Sequence, residues 1–179
     1  GIDFDISSGG ILNLNTRTMT FNSGTFRTNS GGTVLNSGLF QTQGSVSVIN
    51  RNSSSFSAPL KVSSGTTLAY NDNSPFFAVF NGPITVDAGA TLSGSNGGYT
   101  LQANNTVTNN GIIAGSGTHN FRMKGSSLVN NNSITSYELT FDSTTTVSGA
   151  GTFTSSLITI GGSGNVSLGS NVTISPVNN

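Results

Sequence analysis

The sequence predicts an all-β fold, a single-stranded parallel β-helix or β-solenoid, with roughly eight or nine coils of about 18 to 24 residues each. Three observations predict it. Gly, Ser, Thr and Asn fill 100 of the 179 positions, the apolar residues come in short pulses between polar ones, and short strings recur at about the length of one coil.

The apolar pulses have the pattern of half-buried strands. Within a pulse, apolar and polar residues alternate with period two, and Val, Ile, Thr and Phe suit a pleated sheet. In chain order, the clearest pulses are residues 11–14, 19–21, 46–49, 76–80, 158–160 and 172–174. Gly and Asn between the pulses supply turns. No apolar stripe with a 3.6-residue period is sustained, so we expect almost no helix.

The recurring strings set the length of a coil. Residues 62–68 match residues 86–92 in four of seven positions at an offset of 24, and residues 107–112 echo residues 129–134 at an offset of 22. In a stack with this period, Val, Leu, Ile and Phe point inward, Ser and Thr point outward, and Asn at the corners forms hydrogen-bonded ladders along the axis. Charges are few because like charges on successive coils would lie about 4.8 Å apart.

Composition excludes several classes of protein. A flexible linker has a similar content of small polar residues, but it lacks regular apolar pulses and the eleven Phe residues of this chain. With six Lys and Arg against six Asp and Glu, the chain cannot neutralise a run of phosphates, so nucleic acid is not an expected partner. No Cys is present for a disulfide or a thiolate zinc site, and no apolar run is long enough to span a membrane.

Three strings resemble the repeats of bacterial surface β-solenoids. They are NGPITVDAGATLSGS (81–95), TVTNNGIIAGSGT (106–118) and TTTVSGAGTFTSSLITIGGSGNVSLGSNVTI (144–174). Autotransporter passenger domains, filamentous haemagglutinin-type adhesins and large secreted adhesins have such repeats. The resemblance covers the C-terminal two thirds of the chain and, more faintly, residues 9–50. It implies an extracellular or cell-surface location, so we expect residues 1–179 to form one β-solenoid domain within a longer secreted bacterial protein.

The expected function is therefore structural and adhesive, that of a rod-like stalk. We expect the stalk to make weak contacts with a glycan, or with a surface protein of the host or of a bacterium. We also expect it to pack against neighbouring coils of its parent chain. Two features are candidate contacts. Phe76 and Phe77 belong to the most apolar run, framed by Pro75 and Pro83, which also suits a core strand. Arg122 and Lys124 form the densest cationic spot, which also suits a solvated face.

No catalytic, cofactor-binding or metal-ligating residues are expected, and we predict a non-enzyme. Asp3 and Asp5 have a same-face spacing but lie near a terminus, and the other carboxylates look dispersed. The alternative is a carbohydrate-active or carbohydrate-binding β-helix, which would bring two or more carboxylates into one groove. His119 shares a strand face with Phe121 and Met123, where a packed or exposed strand residue is more typical than a ligand or base.

A second alternative is an ice-binding solenoid. Such a protein needs Thr side chains aligned on a flat face, and Thr16, Thr18 and Thr20 form one short rank while Thr144 and Thr146 form another. No comparable rank is evident at the coil period between them. An aligned plane of Thr side chains would favour this alternative.

Overall fold

The computed structural model describes residues 3–29, 31–35, 37–50, 55–71, 77–94, 100–115 and 119–176. These residues form strands, turns and bends without a helix, as the sequence predicts, so none of them belongs to a helix long and apolar enough to cross a membrane. The strands, in chain order, are β1 (Phe4–Ile6), β2 (Ile11–Asn13), β3 (Met19–Phe21), β4 (Gly24–Thr28), β5 (Thr33–Leu35), β6 (Phe40–Thr42), β7 (Ser45–Asn50), β8 (Ser55–Phe56), β9 (Leu60–Val62), β10 (Thr67–Asn71), β11 (Phe77–Phe80), β12 (Ile84–Val86), β13 (Thr91–Gly94), β14 (Thr100–Ala103), β15 (Val107–Asn109), β16 (Ile112–Gly115), β17 (Asn120–Met123), β18 (Ser127–Asn130), β19 (Ser133–Phe141), β20 (Thr144–Ser148), β21 (Thr152–Ile160), β22 (Asn165–Leu168) and β23 (Thr173–Pro176).

The strands stack in parallel on three sides of a solenoid, and the chain passes through sides 1, 2 and 3 in every turn. Side 1 contains β1, β4, β7, β10, β13, β16, the first parts of β19 and β21, and β23. Side 2 contains β2, β5, β8, β11, β14, β17 and the second parts of β19 and β21. Side 3 contains β3, β6, β9, β12, β15, β18, β20 and β22.

The prediction of an all-β parallel β-solenoid is confirmed. Sides 2 and 3 each stack eight strand segments, so about seven turns of chain separate the first from the last, and the predicted number of eight or nine coils is too high. At about 4.8 Å per step, these strands span about 34 Å along the axis. Paired residues are between 18 positions apart, as in Asn120 with Glu138, and 24 positions apart, as in Leu68 with Leu92.

The recurring strings locate one register correctly and miss another by one residue. Residues 62–68 stack on residues 86–92 at the expected offset. The offset of 22 is wrong for the second echo, because Thr108 pairs with Val129 and Asn109 pairs with Asn130. A slip of one residue would turn inward side chains outward. In the observed register Asn109 Nδ2 donates to Asn130 Oδ1 over 2.8 Å, with both residues fully buried.

Stacked apolar side chains form one continuous core along the axis. In its first half, Phe26, Phe40, Phe56 and Phe80 are fully buried and meet edge to face, with ring centroids 4.7 to 6.3 Å apart. Each such pair stabilises the fold by about 0.5–1.5 kcal/mol beyond its buried area. The inward side chains of these short strands thus form one aromatic column rather than separate hydrophobic clusters.

Asn residues form ladders at the corners, as predicted. Asn104 Nδ2 donates to Asn81 Oδ1 over 2.6 Å, and Asn131 Nδ2 donates to Asn110 Oδ1 over 2.7 Å. Each bond joins one turn to the next, so it stabilises the stack along its axis where the backbone changes direction and strand pairing stops.

Candidate functional site

A polar groove lies on side 2 near the C-terminal end of the stack. Asn120 pairs with Glu138 and Arg122 pairs with Thr140, so outward side chains of neighbouring turns stand in two columns. The next turn continues these columns with Leu157 and Thr159. The groove encloses about 350 Å³, and its residues are Thr100, Asn120, Arg122, Glu138, Thr140, Asp142 and Thr159.

Contacts between turns fix the polar side chains of the groove. Arg122 Nε donates to Asp142 Oδ2, and these side chains are only 33 % and 17 % exposed. Thr159 Oγ1 donates to Glu138 Oε1 over 2.7 Å, and the Asn120 side-chain oxygen accepts from the backbone N–H of Glu138 over 3.2 Å. The groove therefore presents one guanidinium, two carboxylates, hydroxyls and an amide in a fixed arrangement.

The structure separates the residues predicted as contacts. Arg122 lies in the groove, whereas Lys124 is exposed and does not line it. Phe76 lies outside the described residues, as does the side chain of Phe77, whose backbone begins β11. Farther along this strand, Phe80 is fully buried, in agreement with the core-strand interpretation of that run.

Of the groove residues, only Arg122 was predicted as a contact, and Glu138 and Asp142 are the charged ones that the sequence did not indicate. The carboxylates are not all dispersed as expected, because these two line one groove. Their separation of four residues was the available signal, since it leaves both on one face of an extended strand.

The other carboxylates in the described residues form ion pairs elsewhere. Arg27 Nη1 lies 3.1 Å from Asp3 and 3.4 Å from Asp5 on side 1, and Lys61 lies 3.1 Å from Asp87 on side 3. The pKa of Asp3 is lowered, chiefly because the backbone N–H of Thr25 donates to its carboxylate and also because of Arg27.

His119 points into the core, on the same face as the buried Phe121 and Met123, so it is a packed rather than an exposed residue. It is fully buried, and its Nδ1 lies 2.6 Å from the hydroxyl of Tyr70, which is also fully buried. Tyr70, Gly94 and Gly115 are in register on side 1, and a Cβ on Gly115 would lie 1.8 Å from His119 Cγ. The glycines thus leave room in the core for the two polar rings.

Side 1 carries a regular array of uncharged side chains, all of them Ser, Thr or Ala except Ile112. From β10 to β23, six successive strands each place two outward residues in register, and leucine, isoleucine or phenylalanine between them points inward. We call these twelve residues the hydroxyl array: Thr67, Ala69, Thr91, Ser93, Ile112, Ala114, Ser133, Thr135, Thr152, Thr154, Thr173 and Ser175. A rank of this kind was not expected. The columns of Ser, Thr and Ala become visible only in the correct register.

Comparisons with known proteins found no matching family model, no matching curated protein and no matching solved structure. Within the described ranges, no group of three or more His, Cys, Asp or Glu residues could hold a metal ion.

Proposed function

We propose that this chain is a rod-forming, adhesive segment of a secreted bacterial surface protein, and that it binds glycan weakly through the groove on side 2. The groove is the observation that carries the proposal. Its guanidinium, amide, carboxylates and hydroxyls supply both donors and acceptors, which is what a sugar with many hydroxyls requires. Parallel stacking with a continuous core supports the structural part, because it yields a stiff support for such a surface.

Two carboxylates in one groove also fit a carbohydrate-cleaving enzyme, but binding without cleavage is the better-supported proposal. A general acid and a general base must each be able to exchange a proton with the substrate. Glu138 instead accepts a hydrogen bond from Thr159, and Asp142 is paired with Arg122, so both carboxylates are already engaged within the groove.

Replacing Arg122 with glutamine is expected to weaken glycan binding. A hydrogen bond from a charged donor contributes about 1.5–3 kcal/mol, so the dissociation constant should rise about ten- to a hundredfold. Isothermal titration calorimetry with a panel of neutral and acidic oligosaccharides measures the change. Arg122→Gln/Asp142→Asn, which removes both charges of the pair, keeps the test valid if the single variant is unstable.

Arg27→Gln is the matched control for this experiment. Arg27 is also an outward, ion-paired arginine with a similar exposed fraction, 28 % against 33 %, but it lies on side 1, outside the groove. Its replacement should leave the affinity unchanged. Equal losses in the two variants, or no binding of any oligosaccharide to the original chain, would refute the groove as a glycan site.

The hydroxyl array favours a second candidate function, the binding of ice. Its side chains repeat about every 4.8 Å between strands and about every 6.6 Å along a strand, which gives a lattice of hydroxyl and methyl groups interrupted by Ile112. Such a lattice can hold ordered water in a repeating pattern. The residues of the array carry no charge to disturb that pattern.

Thermal hysteresis and ice-crystal shaping test the second candidate. Thr135 lies within the array, so Thr135→Lys should abolish most of the freezing-point depression by breaking the pattern. Thr85→Lys is the matched control, because Thr85 is an equally half-buried, outward residue on side 3, next to Lys61. Absence of hysteresis in the original chain would exclude the ice-binding function.

A further inference from the structure

The groove on side 2 is part of a longer row of outward side chains that follows the axis of the solenoid. Strand pairing places one column of these side chains through Val79, Gln102, Arg122, Thr140 and Thr159. Ser55 precedes Val79 by one turn, because the next residue, Phe56, pairs with Phe80. The column therefore crosses six successive turns, from β8 to β21, and its last three residues belong to the groove.

A second column lies beside the first, at the corner between sides 2 and 3. Its members directly follow the last inward residue of a strand, and the backbone N–H of each donates to a carbonyl of the preceding turn over 2.8 to 3.0 Å. They are Ser57, Asn81, Asn104, Lys124 and Asp142. All five side chains are polar or charged. We call the two columns together, from β8 to β21, the polar track.

Hydrogen bonds between side chains fix the part of the polar track that lies outside the groove. Asn81 Nδ2 donates to Ser55 Oγ over 3.1 Å, and Asn104 Nδ2 donates to Asn81 Oδ1 over 2.6 Å. Gln102 Nε2 donates to Asn104 Oδ1 over 2.8 Å. All four residues are half-buried. A side-chain amide has two N–H donors and can accept two hydrogen bonds, so these oriented amides also have capacity for a ligand.

The polar track runs along the axis rather than across the strands. Across side 2, the extended chain from Asn120 to Lys124 covers only about 13 Å before it turns the corner. Along the axis, six turns at about 4.8 Å per step cover about 24 Å. One step is close to the length of one sugar residue in an extended polysaccharide. In every one of these turns the track has a hydrogen-bonding side chain, and half-buried Val79 beside Asn81 adds a contact for the C–H face of a sugar ring.

We propose that the polar track binds a linear oligosaccharide of about six sugar residues along the axis, with one sugar on each turn from β8 to β21. This inference rests on the proposed binding of glycan by the groove, which holds only part of such a chain. Before β8, the same columns continue with Thr33 and Leu35, and Ile11 precedes Thr33, so their polar character declines towards the first turn. The ligand is thus an internal stretch of a linear polysaccharide rather than a single terminal sugar.

Isothermal titration calorimetry with oligosaccharides of increasing length tests this proposal. The probes are xylo-oligosaccharides and oligogalacturonides, one neutral and one acidic linear series, each from two to eight residues. In the series that binds, each sugar added up to about the sixth gains about one hydrogen bond, so it should lower the dissociation constant about two- to tenfold. The seventh and eighth sugars should change it little.

Asn81→Ala separates the polar track from the groove. Asn81 lies two turns before Arg122 and does not line the groove. Its replacement should raise the dissociation constant of the hexasaccharide about two- to tenfold and leave that of the trisaccharide unchanged. Asn110→Ala is the matched control. Asn110 is also half-buried, also precedes a glycine and also accepts from an Asn of the next turn, over 2.7 Å, but it lies at the corner between sides 3 and 1.

The outcomes distinguish this inference from the groove itself. Equal affinity for the trisaccharide and the hexasaccharide would overturn the polar track and leave the groove as a glycan site. Equal losses in the Asn81→Ala and Asn110→Ala variants, or no loss in either, would also overturn it. No binding of either series would refute the track and the groove together. If far-ultraviolet circular dichroism shows that Asn81→Ala does not fold, the length series of the original chain decides.

Discussion

The Phe56→Ala variant is expected to lose about 3–5 kcal/mol of unfolding free energy. Phe56 is fully buried, and its ring meets those of Phe40 and Phe80 with centroids 5.3 Å apart in each case and that of Phe26 at 6.3 Å. Truncation therefore removes three edge-to-face contacts and leaves a cavity in the column. Its strand, β8, has only two residues, so backbone pairing there can compensate little of the loss.

Urea unfolding followed by far-ultraviolet circular dichroism measures this loss. The midpoint should fall by about 1–3 M if the slope stays near that of other small domains. Tyr137→Ala is the control, since it also removes an aromatic ring, but one that is 47 % exposed, and surface changes usually stay within about 0.5 kcal/mol. An equal fall of the midpoint in both variants would show that the aromatic column contributes no special stability.

The aromatic column also shows how far the sequence predicts this fold. Alternating apolar pulses indicate which residues point inward, and the buried positions of Phe80, Phe121 and Met123 agree with that pattern. The sequence does not show that rings from sides 1, 2 and 3 meet in one column. Phe26 and Phe40 are 14 residues apart and lie on different sides, yet their centroids are 4.7 Å apart.

Register explains most of what the sequence could not predict. Successive turns differ in length by several residues, so the register between neighbouring strands changes along the stack. Runs of Asn also make two sequence alignments that differ by one residue look equally good. The alignment that sequence similarity suggested would pair Asn109 with Asn131, whereas the structure pairs it with Asn130. Burial decides between them, since a buried amide needs its hydrogen-bond partner within reach.

The candidate site depends on the same information. Arg122 is recognisable as a cation on an outward strand face, but Asp142 becomes its partner only because β19 follows β17 on side 2 after a short turn of 18 residues. β19 continues around a corner without interruption, which allows this shorter turn. Outward residues can be read from alternation alone, whereas neighbours across turns cannot.

The proposed functions can be tested independently because the residues that carry them lie on different sides of the solenoid. The groove lies on side 2, the hydroxyl array on side 1, and the Lys61–Asp87 pair on side 3. Outward substitutions on one side share no partners with residues on another, so their effects should be additive. A loss of glycan binding with intact ice activity, or the reverse, would therefore assign one function to one side.

The Gly125→Ala variant is expected to lose at least about 3 kcal/mol of unfolding free energy, near the upper end for overpacking. Gly125 is buried at the corner between sides 2 and 3, directly over the preceding turn. A Cβ there would lie 2.0 Å from the carbonyl oxygen and 2.4 Å from the carbonyl carbon of Asn105. Because these are backbone atoms, only separation of the two turns can relieve the clash, and the Gly125 carbonyl that accepts from Thr145 Oγ1 would move as well.

Comparing the melting temperatures of Gly125→Ala and Gly162→Ala isolates this steric effect. Both substitutions reduce the freedom of the unfolded backbone equally, but only the first introduces a clash. Gly162 lies in the turn before β22, and a Cβ there would meet no atom within 4 Å, so its replacement should change stability by no more than about 0.5 kcal/mol. Equal melting temperatures would mean that successive turns can separate at the corner at little cost. A large difference would establish that close contact of corner backbones limits which residues each turn accepts, which accounts for buried glycine at corners such as Gly82 and Gly125.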